Sequence, residues 1–314
     1  MTVLRGFPGL VIGTEWADSV TTGPYDAYTP KQRAALAEAN PYSFLHVTRS
    51  QEDVPADKQD DIDGLIAGCA TSMQRIYDAG AYVEHGEPSL FLYRMEVGDH
   101  SQTGILGVVP VTNSDDRRIL RHESVRPGRA DLLTRHLLEV GMSSSPISLT
   151  YRTDEALDSV IASCTAGQPI LESTSEGVHQ TVWAVAGGDA DALIGAMGDR
   201  TLYVTDGHHR LAAAEEARNR VAPTHPDHPL QWTEAVLFPD AQMLVLPFHR
   251  RVGDRAGRSA AKIIEALSEC GPLQPRVDAE DARPTGPGTV GVYVGGQWFS
   301  LELPAATGSR AAIR

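Results

Sequence analysis

Apolar residues recur along this chain with two different periods, and the change of period predicts where helices and strands alternate. From Ile62 to Ala79 the apolar side chains return every three or four residues, which is the period of one buried helix face. Residues 90–97 and 104–111 are instead rich in aliphatic and aromatic side chains. A short stretch beginning with Gly98 separates them, so they are predicted to form a β-hairpin.

Cap and turn residues predict the remaining elements. Thr29 and Pro30 are typical of a helix N-cap and a first helical residue, so a helix follows them and ends before Pro41. Because strands and helices alternate irregularly and include hairpins, we predict an α+β fold in which helices flank a mixed sheet. The other predicted strands are 43–47, 146–151, 178–186, 202–204, 236–238, 243–246, 289–294 and 297–303, and the other helices are 129–140, 154–162, 189–197, 207–220 and 256–270.

The pattern divides the chain into a large and a small region. Residues 1–255 are predicted to form the main α+β region. Residues 256–314 contain one helix and two strands that meet at Gly295-Gly296, a strong hairpin signal, and are predicted to form a small appendage. With 314 residues, of which 41% are hydrophobic, the chain can bury a full core.

Charge and cysteine usage narrow the classes of function. The formal net charge of −14 argues against a sequence-independent nucleic-acid binder, which needs a basic face to neutralise phosphates. Cys69, Cys164 and Cys270 are far apart and odd in number, so we expect neither a disulfide framework nor a cysteine zinc site. The apolar run at 7–12 is too short for an export signal or a membrane segment. The sequence therefore predicts a cytoplasmic protein with no membrane and no nucleic-acid partner.

The stretch from Leu202 to Arg220 is the strongest candidate for a functional site. A short apolar strand ends at Asp206, and helix-forming residues follow from Gly207. Asp206 is positioned to cap this helix. A helix N-terminus presents unpaired N–H groups and positive dipole, so residues 207–210 lie where an anion such as phosphate is most easily held. The alternative is an ordinary turn with a capping aspartate and solvated histidines.

A second candidate is the stretch around Glu123, which lies beside His122 and several arginines just before the predicted helix 129–140. A carboxylate near a phosphate-binding turn can act as general base on a hydroxyl, while arginines neutralise the transferred group. The alternative is a surface helix start with ordinary salt bridges. The interpretation of His122-Glu123 as a zinc-protease motif fails, because that motif needs a second histidine four residues after the first and position 126 is Arg126.

These stretches carry a resemblance to a known family. The block TDGHHRLAAA, from Thr205, resembles the Asp-Gly-His-His-Arg signature of a widespread prokaryotic family of unknown function, which looks related to the free-serine kinases and through them to the ParB and sulfiredoxin superfamily. Two positions depart from the family pattern: Leu211, usually aromatic, and Phe248, usually a small hydroxyl residue. Further matches occur at Pro24-Tyr25-Asp26, 40–47, 102–107, 122–127, Thr134-Arg135-His136 and 246–250.

The resemblance implies a kinase that transfers a phosphate from ATP or ADP, with Mg²⁺, to the hydroxyl of free L-serine or a related hydroxy amino acid. It implies a ParB/sulfiredoxin-like nucleotide-binding core within residues 1–255 and leaves a homo-oligomer open. The implied catalytic residues are Glu123, Asp206 and His208, with Asp206 also the metal ligand. The implied nucleotide-binding residues are Gly207, His208, His209, Arg210, Arg126, Arg135 and His136, and the implied acceptor-binding residues are Gln102, Thr103, His249 and Arg250.

Two other functions compete with the kinase. The same turn could serve a regulatory switch that binds a nucleoside triphosphate. A metal-dependent hydrolase using His208, His209 and Asp206 is weaker, because adjacent histidines point to different faces of a helix. The chain has neither a Walker loop nor a protein-kinase signature, so those nucleotide folds lend no support.

Overall fold

The computed structural model describes residues 3–23, 25–111, 117–244, 249–286 and 288–304. The chain forms two compact units, Met1–Leu244 and Val245–Arg314. The sequence predicted the boundary between the two regions after residue 255. The strands are β1 Phe7–Ile12, β2 Tyr82–Val97, β3 His100–Pro110, β4 Ile119–Leu120, β5 Ile147–Tyr151, β6 Leu171–Ser175, β7 Val178–Val185, β8 Leu202–Asp206, β9 Trp232–Pro239, β10 Leu273–Arg276, β11 Thr289–Val294 and β12 Gln297–Glu302. The helices are α1 Ala17–Val20, α2 Pro30–Ala39, α3 Ile62–Asp78, α4 Pro127–Val140, α5 Glu155–Cys164, α6 Gly187–Met197, α7 His208–Val221 and α8 Ala260–Cys270.

The first unit is built on a mixed nine-stranded sheet, which confirms the predicted α+β class. The strand order is β4-β8-β5-β9-β3-β2-β7-β6, and β1 pairs with β2. The pairs β4–β8 and β5–β9 are parallel, whereas the other pairs of this sheet are antiparallel. The predicted hairpin is the central antiparallel pair β2–β3, with Gly98 in a left-handed turn conformation (φ 55°).

One face of the large sheet carries the hydrophobic core. Alternate residues of the central strands, such as Leu149 and Leu237, are fully buried there. Leu157 of α5 and Leu193 of α6 complete the same cluster from the helix side. Each such side chain contributes roughly 1.5–3 kcal/mol when it leaves water, so this face fixes how the helices sit on the sheet.

The segment 43–47 is not a strand, and that prediction is wrong. Phe44–His46 forms a 3-10 turn in which the Ser43 hydroxyl accepts the N–H of Leu45 at 3.4 Å. The ring of His46 also bonds the carbonyl of Ala37 at 2.8 Å. Local side-chain hydrogen bonds of this kind compete with strand pairing, and apolar composition does not reveal them.

Several strands went unpredicted. β1 contains Pro8 and Gly9, which normally argue against a strand, yet Gly9 is needed because a Cβ there would lie 2.5 Å from the Phe91 ring. β6 and β10 are short and largely polar, and β4 has two residues. The predicted strand 243–246 is not found at Met243 and Leu244, and its other two residues lie outside the described residues, as do Pro24 and Phe248 of the family pattern.

Helix α2 begins as predicted, with Thr29 and Gln32 forming a reciprocal capping box. A buried ion pair then holds the helix to the following segment. Arg33 donates from Nε to Asp53 at 2.7 Å, and both side chains are 5% exposed. The guanidinium lies over the ring of Tyr25 at 3.8 Å, and the Tyr25 hydroxyl donates to the same carboxylate at 2.7 Å. The Tyr25 position of the family pattern therefore has a packing role.

The second unit contains α8 and a three-stranded antiparallel sheet of order β10-β12-β11. The β11–β12 hairpin turns at Gly295 and Gly296, both at positive φ, as the sequence predicted. Among the residues that the structure describes, no helix is both long and apolar enough to cross a bilayer.

We predict that Arg33→Ala lowers the free energy of unfolding by about 3–5 kcal/mol, because it leaves the buried Asp53 carboxylate without its cation. Urea unfolding followed by circular dichroism measures the change. Arg152→Ala is the matched control, since Arg152 is 84% exposed in its pair with Asp240 and should change stability little. Equal effects of the two substitutions would contradict the buried ion pair.

Candidate active site at the ends of two parallel strands

Two adjacent parallel strands run toward the same edge of the large sheet. Ile119 and Leu120 of β4 pair with Leu202 and Tyr203 of β8. Each strand is followed by a helix, since β4 leads through residues 121–126 into α4 and β8 leads through Gly207 into α7. Two helix N-termini therefore start at the same edge, where their unpaired N–H groups favour negative charge.

The turn between β8 and α7 depends on Gly207. Its φ of 93° lies in the left-handed region that favours glycine, and a Cβ there would lie 3.1 Å from the Arg210 guanidinium. Gly207 is itself the N-cap, with no side-chain cap hydrogen bond, so the prediction that Asp206 caps the helix is wrong. The Asp206 carboxylate instead pairs with Arg210, four residues later.

Arg210 ties this turn to the start of β5. Besides Asp206, its guanidinium donates to the hydroxyl of Ser145 and the carbonyl of Pro146. Only 16% of the Arg210 side chain is exposed, whereas 74% of the Asp206 side chain is. Arg210 is therefore a fixed cation at the helix start, and no pattern in the sequence indicated its contact with Ser145.

The two adjacent histidines hold the loop between β4 and α4. The N–H of His122 donates to Nε2 of His208 at 3.4 Å, and the N–H of Arg126 donates to Nε2 of His209 at 3.1 Å. The rings of His122 and His208 also meet edge to face, with centroids 4.5 Å apart. Both Nε2 atoms act as acceptors, so each neutral ring carries its hydrogen on Nδ1. This use of Nε2 weakens the metal-hydrolase alternative.

Glu123 lies in the loop that the histidines hold. Its Oε2 is 3.6 Å from Nδ1 of the buried His208, while 61% of the Glu123 side chain is exposed. Burial lowers the pKa of His208, and His122 lowers it further, although Glu123 opposes the shift. Burial also lowers the pKa of His209, with Arg129 and Arg126 adding to the effect. Both histidines are therefore neutral near pH 7 and can donate from Nδ1.

Two predicted nucleotide ligands have other partners. Arg135 donates to Asp63 at 2.6 Å and to Glu139 at 3.1 Å. The buried ring of His136 bonds the carbonyl of Val47 at 2.7 Å. Both lie about two turns along α4, roughly 12 Å from its first residue. The structure thus gives them helix-packing contacts away from the helix start.

Other arginines take up positions nearer the site. The side chain of Arg126 is exposed at the N-cap of α4. Arg121 pairs with Glu215 of α7 at 3.0 Å, and its positive charge helps to lower the pKa of His208. The positive charge of Arg129, in the first turn of α4, helps to lower the pKa of His209. Arg121 and Arg129 were not singled out by the sequence, although the density of arginine around Glu123 was the signal that could have found them.

Two of the four predicted acceptor ligands, Gln102 and Thr103, are not brought to this edge. Gln102 and Thr103 lie near the start of β3. Since β3 is antiparallel to β9, β9 parallel to β5 and β5 antiparallel to β8, β3 starts at the opposite edge of the sheet from Asp206. The Thr103 hydroxyl accepts from Arg94 at 3.0 Å. His249 and Arg250 are exposed residues of the second unit.

The fold and the site define an α+β protein in which a loop glutamate meets the histidines of a strand-turn-helix at the ends of two parallel strands. The chain matches, over residues 4–313, the family described as protein of unknown function (DUF1015), and it belongs to that family. This match confirms the predicted membership of a family of unknown function. No curated protein and no solved structure matches the chain.

We predict that the buried, neutral His208 makes stability fall on acidification. Because its pKa is lower in the folded state, the unfolded chain binds more protons below its ordinary value of about 6.5. The contribution is complete above that pH and is lost as the pH falls toward the folded-state value. Urea unfolding at a series of pH values between 7.5 and 5 should show a smaller decline for His208→Gln than for wild type.

The control for this titration is His225→Gln, which changes an exposed loop histidine. It should keep the wild-type decline. If His208→Gln and wild type lost stability in parallel, the histidine would be charged in the folded protein, and its assigned tautomer would be wrong.

Proposed function

We propose that this protein is a nucleotide-dependent kinase that phosphorylates the hydroxyl of free L-serine or a related hydroxy amino acid, on a ParB/sulfiredoxin-like core. The observation that carries the proposal is the contact of Glu123 with His208 between the N-termini of α4 and α7. It combines a carboxylate that can accept a proton with an edge that favours phosphate. Residues 205–214 resemble the signature of a family that looks related to the free-serine kinases, and this resemblance supports the same reaction.

Phosphate binding is assigned to the start of α7. Its first N–H groups have no partner within the helix, and the dipole adds positive potential there. Arg210 contributes a fixed positive charge beside them, and Nδ1–H of His209 is a further donor. Neutral histidines suit this task, because they donate hydrogen bonds without a change of protonation near pH 7.

The chemical step is assigned to Glu123. Its carboxylate accepts the proton of the acceptor hydroxyl as that oxygen forms a bond to the terminal phosphorus of the nucleotide. The bond from this phosphorus to the bridging oxygen breaks, and the shortened nucleotide leaves with the electron pair. His208 is a positioning residue, since its Nδ1–H faces one carboxylate oxygen and leaves the other for the hydroxyl. Phosphoryl transfer needs mainly such positioning and charge neutralisation.

Asp206 is the residue assigned to Mg²⁺. Among the described residues no group of three or more His, Cys, Asp or Glu side chains is arranged to hold a metal ion. A full protein cage is not required, since Mg²⁺ in kinases is bound by one or two carboxylates together with substrate phosphates. One Asp206 oxygen pairs with Arg210 and the other accepts no hydrogen bond within the described part of the chain, so this exposed carboxylate fits that limited role.

We predict that Glu123→Gln keeps nucleotide affinity and lowers turnover by roughly a hundredfold to ten-thousandfold, the usual effect of removing a general base. Calorimetry with ADP or ATP measures the affinity, and single-turnover formation of phosphoserine measures the chemistry. The exposed Glu155, which starts α5 beyond the far end of β5, supplies the control Glu155→Gln. That variant should match wild type in both assays.

The outcomes separate the competing functions. Unchanged turnover in Glu123→Gln would remove Glu123 from the mechanism. Nucleotide binding by wild type with no transfer to any hydroxy amino acid would refute the kinase and favour the regulatory switch. Loss of nucleotide binding in Glu123→Gln would make Glu123 a ligand of the nucleotide or its metal.

We predict that Arg210→Lys weakens nucleotide binding and that Arg210→Ala weakens it further, because lysine keeps the charge but loses the planar fork of donors. Calorimetric titration of each variant with ADP gives the affinities. Arg152→Ala, at an exposed arginine that pairs with Asp240, should bind as wild type does. Equal affinity in wild type and both Arg210 variants would place Arg210 outside the phosphate site.

A further inference from the structure

A carboxylate that the proposed mechanism does not use lies on β9, in the middle of the large sheet and two strands from β8. Glu234 of β9 is directly opposite Val108 of β3. The parallel register that pairs Ile147 with Ala235 places Glu234 beside Pro146 at the start of β5. Because the carbonyl of Pro146 accepts a hydrogen bond from Arg210, Glu234 lies one strand beyond a group that already contacts the site.

Glu234 belongs to the face of the sheet opposite the core. Side chains alternate between the two faces of a strand, and Ala235 and Leu237 are buried in the core. Glu234 therefore shares the other face with Val236 on its own strand and with Val108 across the pair. Its nearest strand neighbours on this face are apolar, and the residue as a whole is half-buried.

Two hydroxyl groups lie on this face between β9 and the turn that follows β8. Ser148 pairs with Val236, and its hydroxyl accepts a hydrogen bond from Thr205 of β8 at 2.7 Å. Both are half-buried. Two strand spacings, about 10 Å, separate β8 from β9. One glutamate side chain and one small bound molecule together can bridge this width.

Within the described part of the chain, the Glu234 carboxyl group has neither a hydrogen bond nor an ion pair. The protein packed around it raises its pKa. Arg5, whose backbone pairs with Val108, is a charged residue on the same face, but its guanidinium lies over the ring of Trp232 at 5.5 Å. A carboxylate that is partly shielded from water normally has a partner, and glutamate is disfavoured in strands, so Glu234 is a candidate for binding a cationic group of a ligand.

We propose that Glu234 binds the ammonium group of the phosphoryl acceptor, with the Ser148 and Thr205 hydroxyls along the path from that group to the β8 turn. The inference rests on the proposed function and names the residue that recognises the amine of its hydroxy amino acid acceptor. An ammonium group supplies the missing partner of the carboxylate and favours its ionised form. A carboxyl group that is protonated before binding loses its proton when the amine binds.

The test compares L-serine with 3-hydroxypropanoate, which keeps the hydroxyl and the carboxylate but lacks the amine. Each is titrated by calorimetry into wild type, Glu234→Gln and Glu172→Gln, with ADP present. Glu172 is an exposed glutamate on β6 of the same sheet and serves as the matched control. Wild type and Glu172→Gln should prefer L-serine at least tenfold, and Glu234→Gln should lose most of that preference.

The same samples distinguish failure of this inference from failure of the kinase. An equal preference for L-serine in wild type and Glu234→Gln, or no binding of L-serine by wild type, overturns the ammonium site. Phosphoserine formation with an unchanged preference for L-serine in Glu234→Gln supports the kinase and refutes the ammonium site. A preference that depends on Glu234 without any phosphoserine formation supports the ammonium site and refutes the kinase.

The fold of Glu234→Gln is checked by its thermal midpoint at several pH values. Because the pKa of Glu234 is raised in the folded state, the unfolded chain releases this proton first, and wild type loses stability as the pH rises above the ordinary value of glutamate. The thermal midpoint of Glu234→Gln should therefore rise relative to that of wild type between pH 5 and pH 8. A variant that became less stable than wild type over this range would show that the carboxylate has a structural partner and would overturn the proposal.

Discussion

The candidate site depends on two hydrogen bonds from backbone N–H groups to the side chains of His208 and His209. The N–H groups of His122 and Arg126 donate to His208 and His209, so one end of α7 holds the whole loop that leads into α4. The two-residue strand β4 and the ion pair of Arg121 with Glu215 add to this attachment. The parallel pairing of β4 with β8 sets the position of the loop, and the histidines set its conformation.

Burial gives the two histidines a defined state. Each is neutral near pH 7, each accepts at Nε2, and each is left with a donor at Nδ1. Charge at the edge then comes from arginine, with Arg210 fixed by Asp206 and by the start of β5. Helix N-termini and oriented arginines act over distances shorter than the screening length in salt, so the net negative charge of the chain does not oppose the phosphate site that we propose at this edge.

Local signals in the sequence predicted local structure well. The capping box of α2, the apolar face of α3 and the β2–β3 hairpin all follow from neighbouring residues, and the structure confirms them. The same logic placed a tight turn at Asp206-Gly207 between a strand and a helix, and the structure shows that Gly207 has a positive φ there. It failed at 43–47, where side-chain bonds to the backbone produced a 3-10 turn, and at Asp206, where glycine became the cap.

The sequence by itself determined the fold class, the strand-turn-helix and the residues concentrated around it, because hydrophobic period and helix capping act within a few residues. Only the tertiary structure decided which distant segments meet there. Strand order brought Glu123 to His208 and placed Glu234 on β9, two strands from β8. It left Gln102 at the opposite edge and Arg135 among helix contacts. Pairing in a sheet joins segments far apart in the chain, and a single sequence carries no local signal for which strands become neighbours.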